Sequence, residues 1–315
     1  MSAPHAHPQP QPLSLCDGRL AALAWGDPAG PTWLALHGWL DNAASFSRLA
    51  PYLVERLGIR VVALDFAGHG LSAHRAGGYA LWDYVHDLLD VADALDLARP
   101  TLLAHSMGAG VAGLAAAALP ERVERLVLID GLGALTTEAE EAPAQLRKGL
   151  LAMRRSRARS ASGARAPSYP DSEAAVAARV AGGATPIDAE TARPLMRRNL
   201  EALPDGRVRL RTDARLLRPS PVRLCPEQLS AMLRALQCPV LLVEGTTGIL
   251  GDRPRACRAR REVARLTRRV LPGGHHLHLE PAAAEEVART IADWPALERA
   301  HEHPHDRRHE REGGA

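Results

Sequence analysis

The chain has 315 residues, 46% of them apolar and only 3% aromatic, with a formal net charge of +3. That length accommodates one large α/β domain with an insertion, and so small a net charge argues against nucleic-acid binding as the main task. Cys16, Cys225, Cys238 and Cys257 lie in no ligand-like spacing, the N-terminus lacks the basic and apolar regions of a secretory signal, and no apolar run reaches the roughly 18 residues of a membrane span, so a soluble cytoplasmic protein with reduced thiols is expected.

Residues 1–12, rich in Pro, His and Gln, are expected to be loose. Between Leu13 and Leu36, short apolar segments predict strands, the last of which, "TWLAL", runs into a sharp His37-Gly38. "SFSRLAPYLVERLG" has helical apolar spacing with Ser45 as a plausible N-cap, "IRVVALDF" is a buried strand, and "WDYVHDLLDVADALDL" is a helix. "TLLAH" predicts another strand, "MGAGVAGLAAAALP" a helix of small residues and "RVERLVLID" the next strand. Such alternation implies a parallel sheet covered on both faces. The pattern breaks at residues 132–237, which are helical, Arg-rich and interrupted by Pro and Gly, and it resumes with "CPVLLVEG". The expected organisation is an α/β core of residues 13–131 and 238–297, split by a helical insertion of residues 132–237. Residues 298–315, with His301, His303, His305 and His309 among charges, have the composition of a disordered tail.

"TLLAHSMGAGVAG" carries two readings. Gly108, Gly110 and Gly113 follow a strand and open a helix, with Asp130 ending the next strand, as in a dinucleotide-binding turn. That fingerprint normally sits at the first strand–helix unit, whereas here it follows several. The other reading is a strand-to-helix elbow that exposes Ser106 as a nucleophile, with small residues at Ala104 and Gly108 because neighbouring chain passes close. On the pentapeptide alone, Ser106 could equally be a simple helix N-cap.

Four stretches together decide: "LALHGWLDNAASFSRLAPYL", "VVALDFAGHGLSAHR", "LLAHSMGAGVA" and "LPGGHHLHLEPAAAEEVA". In this order they resemble the α/β-hydrolase superfamily, and more narrowly its serine hydrolase-like branch of cap-bearing esterases. The resemblance implies a mostly parallel eight-stranded sheet with helices on both faces and a helical cap. It implies Ser106 as nucleophile, His275 as base, and backbone N–H groups of Met107 and Trp39 as oxyanion donors, with the Trp39 side chain lining the pocket. His37 and His69 are expected to brace loops, and His276 and His278 to serve packing or surface roles.

The acid departs from the family's pattern. The position three residues after Gly245, where the family usually carries Asp, is Gly248. Asp130 at the end of its strand is the preferred substitute, because a strand end is a rigid mount, and Asp252 is the alternative. Glu244 is expected to point away from the active face. The histidine run "HHLH" has no Cys or carboxylate at ligand spacing, so neither a metal nor a cofactor is expected. A Ser nucleophile argues against dehalogenase and epoxide hydrolase chemistry, where the elbow carries Asp. The expected activity is hydrolysis of a small carboxylic ester or related carbonyl substrate; the alternatives are a catalytically silent binding protein and a dinucleotide-dependent oxidoreductase. The basic run Arg147, Lys148, Arg154, Arg155, Arg157 and Arg159 could attract an anionic substrate, although a solvated helix face is the preferred reading.

Overall fold

The computed structural model describes residues 9–161, 167–182 and 185–298. The chain opens with strands β1 (Gln11–Leu15), β2 (Leu20–Trp25) and β3 (Thr32–Leu36), then helix α1 (Leu49–Leu57), β4 (Arg60–Leu64), α2 (Asp83–Ala94), β5 (Thr101–His105), α3 (Met107–Ala118) and β6 (Arg125–Ile129). β1 pairs with β2 from Gln11 onward, so the ordered sheet starts two residues earlier than the composition of the N-terminus indicates. The backbone of an edge strand needs only a neighbour's ladder, not an apolar sequence of its own.

After β6 come α4 (Ala142–Ala161), β7 (Ser168–Tyr169), α5 (Ser172–Gly182), α6 (Ala189–Asn199), β8 (Leu200–Ala202), β9 (Val208–Leu210) and α7 (Pro226–Arg234). The three strands form a small antiparallel sheet in the order β7-β9-β8, so the segment is not purely helical as expected. In α4, Arg147, Lys148, Arg154, Arg155 and Arg157 are exposed, as a solvated face would have them; the Arg159 side chain lies outside the described residues. The main sheet then resumes with β10 (Val240–Gly245), α8 (Pro254–Glu262), β11 (Leu266–Leu271), α9 (Ala284–Ala292) and α10 (Pro295–Glu298). The tail histidines also lie outside the described residues.

The eight strands run in the order β1-β2-β4-β3-β5-β6-β10-β11. β1 and β2 are antiparallel to their neighbours, and β4, β3, β5, β6, β10 and β11 are mutually parallel. One face buries Leu34, Leu64, Leu102 and Leu128 under Leu88 and Val91 of α2 and Ala109 and Ala112 of α3. The other buries Val61, Leu103, Val127 and Val243 under Leu49 and Leu53 of α1 and Val287 and Ile291 of α9. These strands read as continuous apolar runs because both their faces are covered. β10 pairs directly with β6, Val243 opposite Ile129, so the insertion leaves and re-enters at adjacent strands. The loops after β5, β6, β10 and β11 therefore open side by side at the C-terminal edge of the sheet, where open α/β sheets hold their sites.

Two of the three glycines of α3 are explained by this packing; Gly113 faces open space. A Cβ on Gly108 would lie 2.2 Å from the Leu36 carbonyl oxygen, and one on Gly110 would lie 2.8 Å from the Gly133 carbonyl oxygen. Close backbone contact thus accounts for both glycines without a dinucleotide.

Candidate active site

The turn from β5 into α3 holds Ser106 at φ 52 and ψ −115, a sparsely populated conformation for a side-chain-bearing residue. Neighbouring chain crowds this turn: a Cβ on Gly131 would lie 2.8 Å from Ser106 Cα. The Ser106 side chain makes no capping bond to its helix. Its Oγ instead lies 3.0 Å from His275 Nε2. Met107 is the first residue of α3, so its amide N–H belongs to the first turn, where donors have no intrahelical acceptor.

His275 follows Gly273-Gly274 in the loop after β11, and Gly273 adopts φ 139. Its Nδ1 lies 2.6 Å from Asp130 Oδ2. With Nδ1–H donating to the carboxylate, Nε2 carries the lone pair that accepts from the Ser106 hydroxyl. Asp130 is fully buried, at φ 40, immediately after β6. The Ile249 N–H donates to the same Oδ2 at 2.8 Å. Gly248 leaves room for this carboxylate: a Cβ there would lie 2.2 Å from Asp130 Oδ1. The position where the resemblance places an acid is thus filled from below by the Asp130 carboxylate, and only glycine leaves it room.

Asp252 is not brought to His275. Its side chain is 91% exposed, with Oδ1 3.8 Å from Arg268 and 4.0 Å from Arg260. Solvent and two guanidiniums hold it on the surface. Glu244 is buried and bonded to Arg260 and Arg268, each at 2.8 Å.

His37 braces the loop after β3: Nδ1–H donates to the Gly38 carbonyl at 2.7 Å, and Nε2 accepts from the Phe66 N–H at 3.0 Å. His69 is fully buried beside it, ring centroids 4.9 Å apart. Burial pushes the His37 imidazolium down to about 4; burial and the adjacent His37 push His69 down to about 3. Both are therefore neutral in the fold when an unfolded histidine, with its ordinary value near 6.5, begins to take up protons. Their contribution to stability is complete above pH ~6.5 and is lost as pH falls toward 4. At pH 5 the loss is on the order of 2 kcal/mol for each. Urea midpoints measured from pH 7.5 down to 5 should fall steeply, and His37→Asn should flatten the slope.

Trp39 is 41% exposed, and its indole N–H donates to the Leu216 carbonyl of the insertion at 3.1 Å. Two further links tie the insertion to the site loops: Arg198 of α6 donates to the fully buried Asp65 carboxylate at 3.0 Å, and Asn42 donates to the Leu195 carbonyl at 2.8 Å. Asp65 also accepts from the N–H groups of Ala43 and Leu71, so one carboxylate ties the loops after β3 and β4 to α6. Neither Arg198 nor the bracing role of Asp65 was expected from the sequence, since no local pattern couples them.

A family model described as alpha/beta hydrolase fold matches residues 31–181. A serine hydrolase-like protein of Dictyostelium discoideum is 36% identical over 279 residues, covering 84% of this chain and 76% of that protein. The chain belongs to the α/β-hydrolase family. Among solved structures, this α/β hydrolase is similar to a hypothetical protein of Pseudomonas aeruginosa at 48% identity and a TM-score of 0.81, covering 90% of this chain and 98% of that one. It is also similar to a thioesterase domain from the curacin biosynthetic pathway at 28% identity and a TM-score of 0.72, again covering 90% and 98%. The hydrolase is thus matched along nearly its whole described length. None of its helices among the described residues is long and apolar enough to cross a membrane.

Proposed function

We propose that this α/β hydrolase is a serine hydrolase that cleaves a small carboxylic ester, or a related carbonyl substrate, through an acyl-enzyme. The observation that carries the reading is the unbroken line from Ser106 Oγ to His275 Nε2, at 3.0 Å, and from His275 Nδ1 to Asp130 Oδ2, at 2.6 Å. Ser106 attacks the substrate carbonyl while His275 takes its proton. The tetrahedral oxyanion rests on the backbone N–H groups of Met107 and Trp39. His275, now an imidazolium steadied by Asp130, protonates the leaving group, and the acyl group stays on Ser106. Water, deprotonated by His275, then releases the acid and restores Ser106. The exposed Trp39 indole forms a wall of the substrate site, held in place through Leu216.

Thioesters fall within the same chemistry, because the leaving thiol needs less help from His275 than an alcohol does. The similarity to a thioesterase domain favours including them. Stopped-flow turnover of a small activated ester and its thioester analogue tests the reading. A burst of leaving group equal to the enzyme concentration, followed by slower steady turnover, is expected for an acyl-enzyme. Slow release without a burst, unaffected by Ser106→Ala, would assign the chemistry elsewhere.

A further inference from the structure

Beside the Ser106–His275 pair lies a second polar cluster that the proposed reaction does not use. Asp41 comes from the loop after β3, His105 ends β5, and His276 lies in the loop after β11; all three are buried. Asp41 Oδ2 lies 3.2 Å from His276 Nε2 and 3.5 Å from His105 Nδ1, and the three donor atoms all lie within 4.8 Å of one another. In a tetrahedral metal centre with bonds of about 2.0–2.1 Å, neighbouring donor atoms stand about 3.3 Å apart. Two edges of the cluster already have that length.

The orientation of His105 points the same way. Its Nε2–H donates to the His275 carbonyl at 2.9 Å, so in the neutral ring Nδ1 carries a bare lone pair. That nitrogen is buried, has no hydrogen-bond partner among the described residues, and faces the Asp41 carboxylate oxygen. Two lone pairs thus confront each other in a water-poor site, an arrangement that a cation relieves. Metal-bound histidines commonly donate their other ring N–H to a backbone carbonyl, as His105 does. Space is also kept open: a Cβ on Gly38 would lie 2.9 Å from His105 Nδ1 and 3.1 Å from Asp41 Oδ2.

We propose that Asp41, His105 and His276 form a binding site for one divalent transition-metal ion of the zinc, copper and nickel class, with a fourth position for water. Two imidazoles and one carboxylate suit these ions and not the oxygen-seeking Mg2+ or Ca2+. The sequence offered no carboxylate at ligand spacing to the histidine run; the fold supplies Asp41 from a distant loop. His105 and His276 are the chain neighbours of Ser106 and His275, and the rings of His105 and His275 lie 4.5 Å apart. The cluster therefore borders the site of the hydrolysis proposed above. Binding itself does not depend on that hydrolase reading.

The test uses the full chain with His5, His7, His301, His303, His305 and His309 replaced by Ala, which removes the terminal histidines as competing ligands. After treatment with chelator, Zn2+ is titrated calorimetrically and Co2+ by visible absorption. One ion per chain and the intense bands of four-coordinate Co2+ are expected. Asp41→Asn and His276→Gln, each checked for folding by circular dichroism, should weaken binding at least about tenfold, a loss that even changes outside the ligand set produce. Absence of binding by the parent chain, the weak spectrum of six-coordinate Co2+, or affinity unchanged in a folded variant would overturn the site. Ester turnover without any metal binding would overturn the site and leave the hydrolase reading intact.

Discussion

Ser106→Ala should lower the turnover of a small activated ester by roughly 10^6-fold, the scale seen when a serine hydrolase loses its nucleophile. The residual rate, about 10^3–10^4 over water, would come from the oxyanion donors and substrate binding. Stability should stay near that of the parent chain. The hydroxyl makes no cap to α3, its bond to His275 is only partly buried, and Ala bears the same Cβ at φ 52 that Ser does. Measuring kcat/KM beside the urea midpoint separates the two effects. Loss of activity together with a collapsed midpoint would mean that Ser106 holds the elbow and not the chemistry.

Asp130→Asn should lower kcat by about 10^4-fold, because an amide NH2 presented to Nδ1 turns His275 to the tautomer that cannot accept the Ser106 proton. Asp252→Asn should change kcat less than about twofold, since its exposed carboxylate touches only Arg260 and Arg268 and surface changes of this kind are near neutral. The pair of variants discriminates sharply. A reversed outcome would require the loop after β10 to refold so that Asp252 replaces Gly248 over His275.

Much of the core was legible because its signals are local. The runs "TWLAL", "RVVAL", "TLLAH" and "LVLI" are strands buried on both faces, and their order fixes where the elbow opens. Ser106 and His275 were named from the resemblance of their segments, "LLAHSMGAGVA" and "LPGGHHLHLEPAAAEEVA", to the α/β-hydrolase pattern. The acid was harder. Both aspartates preserve the chain order, and the choice depends on a single vacancy, the missing side chain of Gly248, whose meaning appears only once β10 lies beside β6. The sheet β7-β9-β8 escaped notice because its strands have two or three residues each, mostly half-buried and too short for alternation to register. The Asp41–His105–His276 cluster was hidden for a related reason. Its members come from three loops, and His105 is masked by the apolar strand that carries it.

Labelling with a fluorophosphonate, followed by peptide mass spectrometry, tests the nucleophile assignment most directly. The native chain should take up one phosphonyl group per molecule, on the peptide containing Ser106, and Ser106→Ala should take up none. A folded native chain that remains unlabelled, or a label that persists in Ser106→Ala, would contradict it.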